Sequence, residues 1–131
     1  MSTPLLLISM AEHLAGFELA DPVMVTVRPS EMGPMGTVQL SGRSLPALAS
    51  ELLAWADTLD NVTATAWRPV APDDDQLFLE VRGRLTDDTP VKVFGGLLDG
   101  PRLPLLAGGE RGELSWSLLR TWALLAEGVV A

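Results

Sequence analysis

Val23, Val25 and Val27 alternate with Met24, Thr26 and Arg28, the period-two pattern of a strand with one buried face. A Met-, Gly- and Pro-rich connection from Pro29 to Gly36 separates it from a shorter strand carrying Val38 and Leu40. Three more strands are predicted over about 62–68, 77–85 and 91–97, with turn-forming residues between them. Short links between successive strands predict antiparallel hairpins.

Helical spacing marks three other segments. Thr3 is placed to cap the first helix, with Pro4 at its first position, where a missing N–H costs nothing, and Gly16 at its end. Leu7, Met10, Ala11 and Leu14 then share a face, leaving Ser9, Glu12 and His13 toward water. The second helix opens at Gly42-Arg43-Ser44, with Ser44 as cap and Pro46 in the first turn. Leu45, Leu48, Ala49, Leu52, Leu53, Ala56 and Leu59 follow the i, i+3, i+4, i+7 rule, and Trp55 lies on the same stripe. The last helix, over about 113–127, is apolar around most of its circumference, with a narrow polar stripe of Glu113, Ser117, Arg120 and Glu127. Trp116 and Trp122 stand about 120° apart on it, so they meet different neighbours.

These elements predict a single α+β domain over residues 1–131, in the order α-ββ-α-βββ-α. The expected core is a sheet of about five antiparallel strands with helices mainly on one face. An internal echo links Phe17…Val23-x-Val25-Thr26-x-Arg28-Pro29 to Trp55…Val62-x-Ala64-Thr65-x-Trp67-Arg68-Pro69. It fits either a duplicated helix–hairpin unit or coincidence.

Alternation also sorts the strand residues by face. With Val23, Val25, Val27, Val38, Leu40, Val62, Ala64, Ala66, Leu77, Leu79, Val81, Val91 and Val93 turned to the helices, a second set faces away. It comprises Thr26, Arg28, Thr37, Gln39, Thr63, Thr65, Trp67, Phe78, Glu80, Arg82, Arg84, Lys92 and Phe94. Four of the chain's nine cations lie in this set beside a single carboxylate, although the chain carries 17 acidic residues and a net charge of −8. Bases stack on sheet aromatics and arginines neutralise phosphates in single-strand-binding sheets. Arg28, Trp67, Phe78, Arg82, Arg84, Lys92 and Phe94 are therefore a candidate nucleic-acid or small-ligand face. The competing reading is that a twin subunit or the last helix covers it.

Composition narrows the chemistry. One His, one Lys, no Cys and no Tyr remove most groups that do acid–base or covalent work near neutral pH. Without cysteine there are no disulfides or thiolate metal sites, and a reducing cytoplasm is the expected compartment. The Leu5–Ile8 run has no basic residue before it and meets Glu12 and His13 too soon to be a signal peptide. No stretch has the length of a membrane span. Asp73-Asp74-Asp75 lacks the spaced ligands of a calcium loop, and Asp87-Asp88 reads as a turn. Gly108-Gly109-Glu110-Arg111-Gly112 contains a GxxG but carries Glu110 and follows a Pro-rich loop, unlike the basic clamp between helices that holds RNA. No catalytic residue, metal site or cofactor is expected.

The stretch from Ala54-Trp55-Ala56-Asp57-Thr58-Leu59 to Ala66-Trp67-Arg68-Pro69, with eight Arg against one Lys, resembles small uncharacterised proteins of high-GC actinobacteria. That resemblance implies no activity, cofactor or site residue. The functional expectation is a non-enzymatic interaction module that associates with itself or another protein. Its contacts are expected through the last helix (Trp116, Leu119, Trp122, Leu125) and the second sheet face (Trp67, Phe94). Nucleic acid is the alternative partner, and the −8 charge opposes it.

Overall fold

The computed structural model describes residues 2–29, 31, 33–69, 76–98 and 111–125. In chain order it contains α1 (Thr3–Gly16), β1 (Met24–Arg28), β2 (Met35–Gln39), α2 (Leu45–Ala56), β3 (Asp60–Trp67), β4 (Leu77–Arg84), β5 (Pro90–Leu97), β6 (Arg111–Glu113) and α3 (Trp116–Ala123). The class is α+β, and the expected helices and strands are present.

The sheet has six strands in the order β1-β2-β5-β4-β3-β6. It is mixed rather than antiparallel, because β2 lies parallel to β5 with Val38 opposite Val93. Hairpin reasoning from short links holds for β1–β2, β3–β4 and β4–β5. It cannot anticipate a pairing between strands separated by a helix and two further strands. The sixth strand is three residues long and pairs Arg111 with Trp67 on β3, too short to leave a period in the sequence. Both sheet edges are guarded: β1 is flanked by Pro22 and Pro29, and β6 is minimal.

α1 and α2 share one side of the sheet. A Cβ built on Gly36 would meet Met10 Sδ at 3.1 Å and one on Gly95 would collide with Leu48 Cδ1, so both helices press on glycines of the inner face. α3 packs on α2. The core joins Leu6 and Met10, Leu48, Leu52 and Trp55, Leu119 and Trp122 with Val38, Leu79, Val81 and Val93.

Ser2, not Thr3, caps α1, its hydroxyl accepting from the Leu5 amide. The buried face of α1 is Leu6, Met10 and His13, while Leu7 is 50% exposed, so the expected assignment is rotated by about one residue. Burying His13 explains the error: an imidazole with a partner is treated by the fold as core. Val23, expected inward, precedes β1 and is 63% exposed. α3 begins at Trp116 with Ser115 as cap, three residues later than expected, because 111–113 are used as β6. The expected extension past Leu125, the Asp73–Asp75 turn and Gly108-Gly109 lie outside the described residues.

Candidate binding face

The strand registers place the outward set in rows across the sheet. One row runs Thr26, Thr37, Lys92, Arg82, Thr63, and the next runs Gln39, Phe94, Glu80, Thr65, Glu113. A third runs Gly96, Phe78, Trp67, Arg111. Residues opposite one another in register project from the same face, so β6 adds Arg111 and Glu113 to the expected set. Among the described residues no helix packs on this face. Of the two covers in the competing reading, the one by the last helix is not provided by the described part of α3, which packs on α2.

Glu80 is the centre of the face. Its side chain has no exposed surface, and its Oε2 receives Arg82 Nε at 2.7 Å and Arg111 Nη1 at 3.0 Å. Lys92 Nζ stands 3.4 Å from Oε1, and the Thr65 hydroxyl donates to Oε2 at 3.4 Å. Burial pushes the Glu80 carboxyl up, but the Arg82 hydrogen bond and the charges of Arg82, Lys92 and Arg111 outweigh it and hold it below the ordinary carboxylate range. The anion is thus kept ionised under a ring of three cations. The cation side chains remain 51% (Arg82), 29% (Lys92) and 47% (Arg111) exposed. One buried negative charge against three half-solvated positive ones leaves the cluster locally positive.

The aromatics form a stacked ladder. Trp67 and Phe78 lie 4.6 Å apart between centroids and 15° from parallel. The Arg111 guanidinium sits 5.7 Å from the Trp67 ring centroid. At the other end of the row a side chain on Gly96 would come within 2.9 Å of Phe78 Cε1, so the glycine admits the phenyl ring. Lys92 Nζ lies 5.5 Å from the Phe94 centroid. Trp67 is thus met by Phe78 and by Arg111, while Phe94 meets Lys92.

Two concavities adjoin the cluster and share Arg82 and Met35. A hollow of about 270 Å³ is bounded by Arg28, Thr37, Arg82, Lys92, Phe94 and neighbours. A cleft of about 760 Å³ lies at the strand ends, between Glu31, Gly33, Pro34 and Met35, the start of β3 and the β4–β5 turn. Asn61 (φ 54°), Asp88 (φ 70°) and Gly33 (φ 102°) all line it. Arg84 is used there, its Nη1 donating to the Asp88 carbonyl at 2.9 Å.

His13 is a buried titratable group on the helix side that sequence reasoning left in solvent. Its Nε2 is 2.8 Å from Thr58 Oγ1, and that hydroxyl donates to the Trp55 carbonyl at 2.7 Å. With its one proton committed, Thr58 accepts, so the Nε2–H tautomer donates. The ring stacks on Trp55 at 5.4 Å and meets Phe17 at 4.7 Å. Burial lowers its pKa, and the Asp87 charge partly offsets this. Asp87 itself accepts from the Ser9 hydroxyl and the Thr89 amide, which hold its carboxyl down.

The candidate residues thus divide. Arg82, Lys92, Phe94, Trp67 and Phe78 come together on the open face, with Arg28 at its β1 edge and Arg84 turned to the cleft. Leu119 (0% exposed) and Trp122 (4%) belong to the core, whereas Trp116 and Leu125 are half-buried. Arg111 was missed, since nothing marks it as a strand residue. Glu80 had a signal: it was the one carboxylate among the outward cations. No group of residues suited to hold a metal ion occurs among the described residues, and no described helix is long and apolar enough to cross a membrane. No family model, curated protein or solved structure matches the chain.

Proposed function

We propose that this chain is a cytoplasmic, non-enzymatic protein-interaction module whose contact surface is the sheet face that no described helix covers, and that the partner presents an acidic segment to it. The observation that carries the reading is the Glu80 cluster, in which Arg82, Lys92 and Arg111 exceed their shared carboxylate. A buried anion fixes the cations in place, so less freedom is lost when a second anion arrives. The overall charge of −8 does not cancel this local field, since at physiological salt charges beyond about 8 Å are largely screened.

Two alternatives fit less well. Base stacking needs a free aromatic face, and Trp67 is sandwiched between Phe78 and Arg111. Twofold pairing of two copies through this face would oppose like-charged clusters, which costs free energy. Self-association therefore enters the reading only as a head-to-tail contact, with the acidic surface of one copy on the cationic face of the next.

The test is titration of the protein with a capped hexaglutamate peptide, followed by tryptophan fluorescence, beside a hexaglutamine control. Saturable binding of the acidic peptide alone, lost in Arg82→Ala, supports the reading. Equal response to both peptides, or none, contradicts it.

A further inference from the structure

We infer that the hollow bounded by Arg28, Arg82 and Lys92 is a specific site for one compact oxyanion, a phosphoryl or carboxylate group. The inference deepens the interaction reading and rests on the same open face. It is carried by the composition of the lining: three cations and the Thr37 hydroxyl, with Met35 and Phe94 as apolar walls and no carboxylate among the described residues. Three of the nine cations of an acidic chain converge on a volume of about 270 Å³, which suits a group of a few heavy atoms rather than an extended polymer.

The neighbouring Glu80 organises the site without neutralising it. Arg82 commits its Nε–H to Glu80 Oε2 at 2.7 Å, which leaves the four N–H donors of its terminal nitrogens, the part of a guanidinium that takes an oxyanion in a fork. Lys92 is held 3.4 Å from the other carboxylate oxygen and keeps donors to spare. Arg28, at the end of β1 opposite Met35, brings a third charge from a different strand. Thr37 sits directly across from Lys92 in the β2–β5 register and supplies a neutral donor. The apolar walls reduce local solvation, which strengthens each charge-assisted bond.

The experiment is a protein-observed amide NMR titration of the full chain with inorganic phosphate at constant ionic strength, repeated with succinate and with the hexaglutamate peptide. The expected result is a saturable shift confined to Thr37, Arg82, Lys92, Phe94 and Arg28. The apparent Kd should rise about tenfold or more in Arg28→Gln and in Lys92→Met, and stay unchanged in Arg120→Gln on α3. Lys92→Met keeps the aliphatic stem, and Arg28 is exposed at the sheet edge, so Arg28→Gln carries the test if the other variant unfolds.

Non-saturating shifts spread over all cationic positions, or the same Kd in Arg28→Gln, overturn the inference. Saturation by phosphate alone assigns a phosphoryl ligand, and saturation by succinate as well admits carboxylates; both support the site. Phosphate saturation without peptide binding keeps the hollow and removes the interaction reading. Peptide binding that is lost in Arg82→Ala, with no saturable phosphate shift, keeps that reading and removes the hollow.

Discussion

Trp67 and Phe78 oppose each other across β3 and β4 with ring centroids 4.6 Å apart and planes 15° from parallel. The pair is a cross-strand contact, of the kind that stabilises a sheet by about 0.5–1.5 kcal/mol beyond area burial. A double-mutant cycle of Trp67→Ala and Phe78→Ala, read by urea unfolding, should return a coupling energy in that range. The same variants should show no loss of affinity for single-stranded oligonucleotides, because in the wild type Trp67 is already stacked on Phe78 and met by Arg111.

Glu80→Gln preserves shape and removes the charge that Arg82, Lys92 and Arg111 share. The expected cost is about 1–3 kcal/mol, less than for a fully buried pair, since the half-exposed cations regain water. The folded carboxyl titrates below its unfolded value, so this stabilisation is present above the unfolded pKa and lost as pH falls through the lower folded one. Urea denaturation of wild type and Glu80→Gln between pH 3 and 7 should show the two curves converging at the acid end.

His13 has the opposite charge type but the same direction with pH. Its folded pKa is lowered by burial, so between the folded and unfolded values the unfolded chain binds the extra proton. Stability is full above about pH 6.5, the ordinary imidazole value, declines as pH falls through the window down to the folded pKa, and then levels off. His13→Gln keeps a donor for Thr58 without a titrating group. The stability of wild type relative to His13→Gln should fall from pH 7.5 to 5, and a constant difference would show that His13 is not held neutral.

Trp122→Ala should destabilise the fold by about 3–5 kcal/mol through a cavity beside α2, because Trp122 is 4% exposed. Calorimetry should record a lower Tm in a monomer as in any oligomer. The expectation that this residue is held mainly by a partner predicts instead an unchanged monomer Tm.

Much of this fold is legible in the sequence because alternation and helical spacing report burial directly. That Thr37, Lys92 and Arg82 all face outward follows from parity alone, once the strands are found. What parity cannot supply is neighbourhood. That β5 lies between β2 and β4 depends on long-range packing, and without it Thr37 and Arg28 have no link to Lys92 and Arg82. Arg111 reaches the cluster on a three-residue strand, below the length at which any period exists. His13 was misassigned because polar side chains are presumed wet, while its burial depends on Thr58 and Trp55 from another part of the chain. Leu119 and Trp122 looked surplus to one core because the sequence does not show that α2 offers them a second side to pack on.

The salt dependence of hexaglutamate binding, measured for wild type, Arg82→Ala and Arg111→Ala, tests the central claim most directly. The account predicts affinity that falls with added salt, is weakened in both variants by about tenfold, and is less salt-sensitive in each. Affinity that is independent of salt, or undiminished in both variants, would contradict a cationic sheet face as the contact surface.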